Sequence, residues 1–503
     1  MRDDERSLEP YIDQEPLPTV VPPPDFADNE IALGWYDNQE RNEFRMARIA
    51  WEPQAGRPHA YLVGGSGTGK SKLLEAMIRQ DIALGRGFGV IDPTGDLVEN
   101  VKGWLCYEDR HDLADDIVLL DPLRPESTVV FNPLDRIPGV SIEEQALHLV
   151  SAFKKIWEDS WGARMEDLLR NTLIVLQEND LTLGELPLFL INESFRRKAL
   201  QNSKHPIARQ YFKRFLDLTD KTRNEWMEST LNKVDAFLAD TRVRQVVSGN
   251  RSSFDLRQIM GTGRVLLVRL DRGRLPESGD LLGSLLMAKI QMTAFSRSDT
   301  LRSQRVPFAL YVDEFQNFAS DNFVETLAEA RKYGLVLTMA HQNLAQMPRT
   351  LLASALGNCD LQVFFRVSRN DAEILAKEAL RASGDRLKAV EPSGSGFSYR
   401  FYSLPEDFER CFQQLQDLPN RCFLAYWRRE RAAEFFYTPE VPDPATELGM
   451  DQQEYQSYTQ DIGQAYLVGR TELEQQAEQR RQRLGFKPPR EPTTFREPKS
   501  RKA

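Results

Sequence analysis

Apolar and polar positions follow two rhythms along this chain. Short unbroken apolar runs recur at 59–65 (HAYLVGG), 88–93 (FGVIDP), 116–122 (DIVLLDP), 264–270 (RVLLVRL), 308–315 (FALYVDEF), 335–341 (LVLTMAH), 361–367 (LQVFFRV) and 421–427 (RCFLAYW). Runs this short, closed by Gly or Asp-Pro, predict buried strands. Between them, 70–85, 278–297, 322–334 and 371–381 repeat apolar residues near every 3.6 positions and predict helices. Buried strands alternating with helices predict an α/β fold with a parallel-rich sheet flanked by helices.

One stretch breaks this alternation. From 141 to 250 the helical rhythm continues through SIEEQALHLVSAFKKIW, RMEDLLRNTLIVLQE, HPIARQYFKRFLDL and NEWMESTLNKVDAFLADTRVRQVV. No strand-like run interrupts it, which predicts an all-helical insertion. The expected organisation is a proline-rich extended arm at 1–29, an α/β core at 30–140 and 251–437, the insertion at 141–250, and a C-terminal extension at 438–503. The extension ends in QRRQRLGFKPPREPTTFREPKSRKA, a basic, proline-bearing tail that reads as solvated and disordered, with phosphates or an acidic partner as its other use.

Composition narrows the picture. The 503 residues are 41% hydrophobic, enough for a sizeable core. A net charge of −10 argues against a surface uniformly coated for DNA, though not against a basic groove or pore. No apolar run is long enough to span a membrane, and the charged start MRDDERSLEP does not read as a secretory signal, so a cytoplasmic setting is expected. Cys106, Cys359, Cys411 and Cys422 are scattered and read as ordinary buried thiols.

The chemistry concentrates at strand ends. Gly64, Gly65, Ser66, Gly67, Thr68, Gly69, Lys70 and Ser71 form GGSGTGKS between an apolar strand and an amphipathic helix. Glycines let backbone N–H groups close on phosphate oxygens, and the helix start adds its positive dipole end. Lys70 is the candidate for the β/γ-phosphates, and Ser71 for Mg²⁺. The strand FALYVDEF ends in Asp313, a candidate metal ligand, and Glu314, a candidate general base. Gln342, after LVLTMAH, is placed to contact a terminal phosphate or its water; His341 reads as its neighbour in the turn, without metal-ligand spacing. Asp92, with Asp96 just beyond it, lies at another strand end and is either an ATP-site residue or a turn residue. For a charge-stabilising arginine from a neighbouring subunit, Arg331 is the first candidate and Arg366 the second. Arg272 and Arg274, in a loop after a buried strand, are candidate DNA contacts or ordinary surface charge. Trp161, Arg164 and Arg170 read as packing plus surface charge.

Taken together, LVGGSGTGKSKLLE, GVIDPTGDLVE, VVFNPLD, YVDEFQNFAS, EARKYGLVLTMAHQNLAQ and GNCDLQVFFRVSRNDAEILAKE resemble, in order, the HerA/FtsK superfamily of hexameric motor ATPases. Within it they look most like TraG/TraD-like coupling proteins of conjugative (type IV) DNA transfer. The resemblance covers about residues 30–435. It implies a RecA-like core, a homo-hexameric ring with ATP at the subunit interfaces, and DNA in the pore. It likens the insertion to the coupling proteins' all-alpha domain. It places Lys70, Ser71, Asp313, Glu314 and Gln342 on the Walker A, Walker B and sensor positions, with ATP and Mg²⁺ as cofactors. Two departures stand out: no transmembrane helices and no HerA-type N-terminal barrel. The expectation is therefore a DNA translocase that borrows a membrane partner, with relaxase or secretion machinery as candidate partners. The alternatives are a cytoplasmic motor working with a nuclease or other effector, and a nucleotide-gated scaffold that does not pump.

Overall fold

The computed structural model describes residues 30–38, 43–52, 56–124, 126–320, 322–382, 386–393 and 396–486. The proline-rich arm and the last part of the basic tail lie outside the described residues.

Fifteen strands are described. In chain order they are β1 (Glu30–Asn38), β2 (Glu43–Ala50), β3 (Ala60–Val63), β4 (Phe88–Asp92), β5 (Ile117–Leu120), β6 (Ser127–Val129), β7 (Val265–Arg269) and β8 (Phe308–Val312), followed by β9 (Leu335–His341), β10 (Leu361–Phe364), β11 (Leu387–Ser393), β12 (Gly396–Phe401), β13 (Cys422–Trp427), β14 (Ala432–Tyr437) and β15 (Leu467–Gly469). Eleven form one sheet in the order β2-β1-β14-β13-β10-β3-β9-β8-β4-β7-β5. From β10 to β5 all neighbours are parallel. The other strands, from β13 outward to β2, extend the sheet antiparallel.

The parallel strands are buried on both faces because helices cover both. In β3, Ala60 and Leu62 join one hydrophobic cluster with Leu73, Met77 and Val101, while Tyr61 and Val63 join the other with Leu281 and Leu285. This explains why these strands read as continuous apolar runs.

The antiparallel wing was not read as such. The residues before 59 carry β1 and β2, and RCFLAYW is followed by a further strand, β14. Gly34 allows the join: a Cβ there would stand 2.2 Å from the Tyr437 carbonyl oxygen, and the β1–β2 register shifts beside it. The expected strand at 361–367 stops at Phe364, leaving Arg366 in a loop. The expected helix at 322–334 is a short helix, Phe323–Glu329, followed by a tighter turn at Ala330–Tyr333. A separate hairpin, β11–β12, carries Phe397, Tyr399 and Phe401, all more than half exposed.

Between Ile142 and Val246 the chain is helical, and its core residues, among them Leu149, Leu168 and Leu176, belong to the cluster that also holds Leu281 and Leu285 of the helix Pro276–Ser296. Trp161 stacks near Trp157 and donates to Glu166, Arg164 lies over Trp226, and Arg170 pairs with Asp167, in line with packing and surface charge.

The tail reading needs correction for its first residues. The helix Arg470–Arg483 docks on the insertion, and Arg480 is 5% exposed. It makes two 3.1 Å bonds to the buried Glu185 and one of 2.6 Å to the Ser248 carbonyl. β15 pairs with β6 alongside. The basic composition hid this because a buried acid with carbonyl and amide acceptors beside it seats an arginine that reads as surface charge in the sequence. The four cysteines are buried thiols. Among the described residues no helix is long and apolar enough to cross a membrane.

Candidate nucleotide site

Three neighbouring strands aim their carboxyl ends at one place. β3 leads into the glycine loop, β8 into the acid pair and β9 into Gln342, and the sheet places them side by side. Such crevices beyond parallel strand ends are where open α/β sheets hold ligands. Here the crevice is an open cleft of about 680 Å³, lined by Ser66, Gly67, Gly69, Lys70, Ser71, Asp313, Glu314 and Gln342 among others. A roomier hollow of about 820 Å³ beside the C-terminal helix has no glycine cradle and no strand-end acid pair.

The loop conformation depends on glycine. Gly69 has φ +120°, and a Cβ there would meet both Arg421 Cα and the Phe365 ring at 3.2 Å. The helix Lys70–Ala83 starts immediately after it and points its amino end into the cleft. Lys70 is buried and folds back, donating to the carbonyls of Gly64 (2.7 Å) and Gly65 (3.0 Å). Burial lowers its pKa, against the opposing pull of Asp313 and Glu314.

The Ser71 hydroxyl donates to Asp313 Oδ2 at 2.9 Å. Helix start and strand tip, 242 positions apart, therefore present two oxygens at one point. Burial, with Glu314 and Asp92 nearby, pushes Asp313 up to about 6. A hydroxyl and a carboxylate joined at one point, with a second carboxylate beside them, fit a hard oxygen-seeking cation such as Mg²⁺.

Glu314 occupies the left-handed region, with φ 45° and ψ 48°. A non-glycine residue held there carries strain of about 1–3 kcal/mol, a pattern that clusters at active sites. Its carboxylate is gripped on both oxygens: Gln342 donates to Oε1 and Gln316 to Oε2, each at 2.8 Å.

The remaining candidates separate. Asp92 is fully buried and acts as a turn residue: it accepts from the Thr94 backbone and hydroxyl and from the Val98 backbone. Its direct ATP contact is not supported, because both oxygens are occupied by its own loop. Asp96 lines the cleft. His341 is buried, bonds the Tyr61 hydroxyl at 2.5 Å, and is pushed down to about 4 by burial and the Lys70 charge, so it is a neutral packing residue. Arg366 bonds the Leu418 carbonyl and Asn420 Oδ1 and does not line the cleft, although its own carbonyl accepts from Gly65. Arg331 lies in the turn before β9, at the opposite end of that strand from Gln342, roughly 20 Å away for seven extended residues. Its nearest acid is Glu52 at 3.9 Å. Arg272 pairs with Asp280 at 3.1 Å and Arg274 lies 3.8 Å from Asp271.

Sequence reasoning missed one wall of the cleft. Arg421, with φ +68°, donates its backbone N–H to the Thr68 carbonyl at 2.8 Å and pairs its side chain with Glu440 at 3.1 Å. Glu440, Val441, Pro442 and Glu447 continue that wall. Their distance along the chain from the glycine loop left no local signal; only the β13 pairing brings them back.

A glycine-cradled cleft on a parallel sheet, with the serine and aspartate joined and a glutamate beside them, defines a P-loop NTPase fold with a RecA-like core. Within that class, the model of the type IV secretory system conjugative DNA transfer family matches residues 25–377, and the chain belongs to that family. It is 24% identical over 328 residues to a probable conjugal transfer protein TraG of Sinorhizobium fredii (strain NBRC 101917 / NGR234), covering 60% of this chain and 48% of the relative. The chain thus spans about half the length of that curated relative. In fold it is similar to the bacterial conjugative coupling protein TrwBdeltaN70, with a TM-score of 0.53, 15% identity, and 79% of this chain and 89% of the other covered. It is also similar to plasmid coupling protein TrwB in complex with ADP and Mg²⁺, with a TM-score of 0.52, 15% identity, and coverage of 78% and 86%. The TraG/TraD-like resemblance carried by the motifs holds.

Proposed function

We propose that this chain is an ATP-hydrolysing motor that moves DNA for conjugative transfer. The observation that carries the reading is the hydrogen bond from Ser71 to Asp313, made in the same cleft as Lys70 and Glu314. It brings a phosphate cradle, a metal seat and a base onto one triphosphate-sized space. Ser71 and Asp313 would hold Mg²⁺, which neutralises phosphate charge when bound. Lys70 would leave the loop carbonyls for the β/γ-phosphates. Glu314 would take a proton from water as that oxygen attacks the γ-phosphorus. The bond to the bridging oxygen breaks, releasing ADP and inorganic phosphate.

Family membership supports DNA as the substrate and secretion machinery as the partner. The structural likeness to coupling proteins supports assembly into a ring, with six copies as the expected number. In that ring Arg331, remote from its own cleft, would serve a neighbour's. The loop carrying Arg272 and Arg274 follows β7 at the same strand ends and would reach DNA. A need for ATP supports a cytoplasmic setting for the core, at the membrane through a partner.

The test is ATPase activity with and without single- and double-stranded DNA, at several salt concentrations. Hydrolysis stimulated by DNA, with affinity falling steeply as salt rises, is expected. Lys70→Ala should abolish nucleotide binding, and Glu314→Gln should keep binding while lowering kcat by about 10²–10⁴-fold. Hydrolysis that no DNA form stimulates would overturn the motor reading.

A further inference from the structure

Glu314 stands between two spaces. On one side is the nucleotide cleft. On the other is a second polar cavity of about 540 Å³, lined by Pro93, Thr94, Arg272, Glu314, Gln316, Asn317, Gln342 and Gln346. Thr94, Glu314 and Gln342 border both, whereas Gln316 faces only the second. The two amides that grip the carboxylate therefore differ in what else they can reach. Gln342 is half-buried at the tip of β9 and opens onto the space a triphosphate would fill. Gln316 is 8% exposed, turned away from that space, and its own Oε1 is buried without a hydrogen-bond partner among the described residues.

Three restraints fix the Glu314 side chain in this arrangement. Its backbone is in the left-handed region, its N–H donates to Asp313 Oδ1 at 2.9 Å, and one amide is bound to each carboxylate oxygen. A carboxylate held on both oxygens is well oriented, but the oxygen facing the cleft is already engaged by Gln342. A terminal phosphate carries more negative charge than a carboxylate and competes for the same N–H donor, since hydrogen bonds to more highly charged acceptors are stronger.

We propose that Gln316 is a positioning residue that anchors Glu314 through Oε2, and that Gln342 is exchanged from Glu314 Oε1 to the terminal phosphate of bound ATP. The carboxylate oxygen that faces the cleft is then released to receive water only when a γ-phosphate is present. ADP, lacking that group, leaves Gln342 on Glu314. The proposal rests on the ATP-hydrolysis reading above and names the arrangement that gates it.

The test uses the full chain and compares Gln316→Met, Gln316→Glu, Gln342→Ala and wild type. It measures kcat, KM, thermal midpoint, and binding of a fluorescent non-hydrolysable ATP analogue competed by ADP. Gln316→Met keeps the volume and removes the donor. It should lower kcat about 10- to 100-fold, with KM within about threefold and an unchanged thermal midpoint, because positioning errors act on the transition state. Gln316→Glu places a second carboxylate against Glu314. It should be slower than the Met variant at pH 8 and recover part of its kcat toward pH 6, since a protonated carboxyl donates the bond the amide made. A purely structural role would not produce that pH signature. Gln342→Ala should lose at least fivefold of the preference for the ATP analogue over ADP, while Gln316→Met keeps it.

Wild-type turnover with the Gln316→Met kcat within twofold of it sinks the anchoring role. Undiminished ATP-over-ADP preference in Gln342→Ala sinks the exchange, and this binding arm reads out whether or not the chain turns over. A wild-type chain that neither binds nor hydrolyses ATP takes down the ATPase reading itself, which is a different result from either.

Discussion

The two ends of the parallel strands are built on opposite principles. At the amino ends, polar groups are buried and paired. Arg57 is fully buried, pairs with Asp81 at 3.2 Å and lies over the Tyr311 ring, while the Tyr311 hydroxyl donates to Asp81 at 2.6 Å. His59 accepts the Leu337 N–H through Nδ1, and burial beside the Arg331 charge pushes its pKa down to about 3. At the carboxyl ends, Glu314 is strained, Asp313 is held near 6 instead of its ordinary acidic range, and Lys70 spends its charge on carbonyls. One end has its buried carboxylate and guanidinium matched within the chain. The other holds groups whose proposed partners are a phosphate and a metal ion, so its local strain would be a reserve that ligand binding relieves.

If Arg331 serves a neighbour's cleft, it is the one residue by which the closed end reaches an open one. Arg331→Ala should then lower kcat by 10³-fold or more while nucleotide affinity is retained. Mixing it with Glu314→Gln should restore measurable turnover, because a mixed interface supplies the arginine from one subunit and the base from the other. Failure of the mixture to recover activity would confine Arg331 to its own chain.

Asp81→Ala attacks the closed end alone. It leaves Arg57 buried without its carboxylate and should cost about 3–5 kcal/mol in urea unfolding, with ATP affinity at low temperature little changed. Equal damage to binding and stability would erase the distinction between the two ends.

Asp313→Asn attacks the open end and should go the other way. Because the folded chain holds Asp313 near 6 against an ordinary value of 3.8, ionising it costs stability. That cost is absent below about pH 4, grows as pH rises through 6, and reaches about 2–3 kcal/mol at neutral pH. Nucleotide-free Asp313→Asn should therefore match wild type at pH 4 and be more stable at pH 7.5, while losing hydrolysis. Thermal scans across that range, with and without Mg-ATP, check it; excess ligand should narrow the gap. The smallest effect is expected from Arg421→Ala, which removes a cleft-wall charge paired to Glu440 and should weaken ATP binding three- to tenfold by isothermal titration.

Much of the open end was legible before folding. Gly64–Ser71 and Asp313–Glu314 are contiguous, and their order follows from what a phosphate and a cation require of a backbone. Runs such as VLLVR and LVLTMAH announced two-sided burial because parallel strands covered by helices admit no polar face. Asp92 stayed open between two uses because a strand-end aspartate looks the same whether it faces a ligand or caps its own turn. Arg331 reads as an arginine for a neighbouring subunit, and its place at the far end of β9 from Gln342 is set by the strand between them.

Local composition and spacing thus determined the class of chemistry, the helical insertion and the central strands, since each depends on residues near one another in the chain. Tertiary structure alone decided the antiparallel wing, the cleft wall at Arg421, the seat of Arg480 on Glu185 and the bond from Gln342 to Glu314. Each of these joins groups whose meeting is set by sheet order and helix docking, and a hydrogen bond across such a distance leaves no periodicity for a reader of the chain to find.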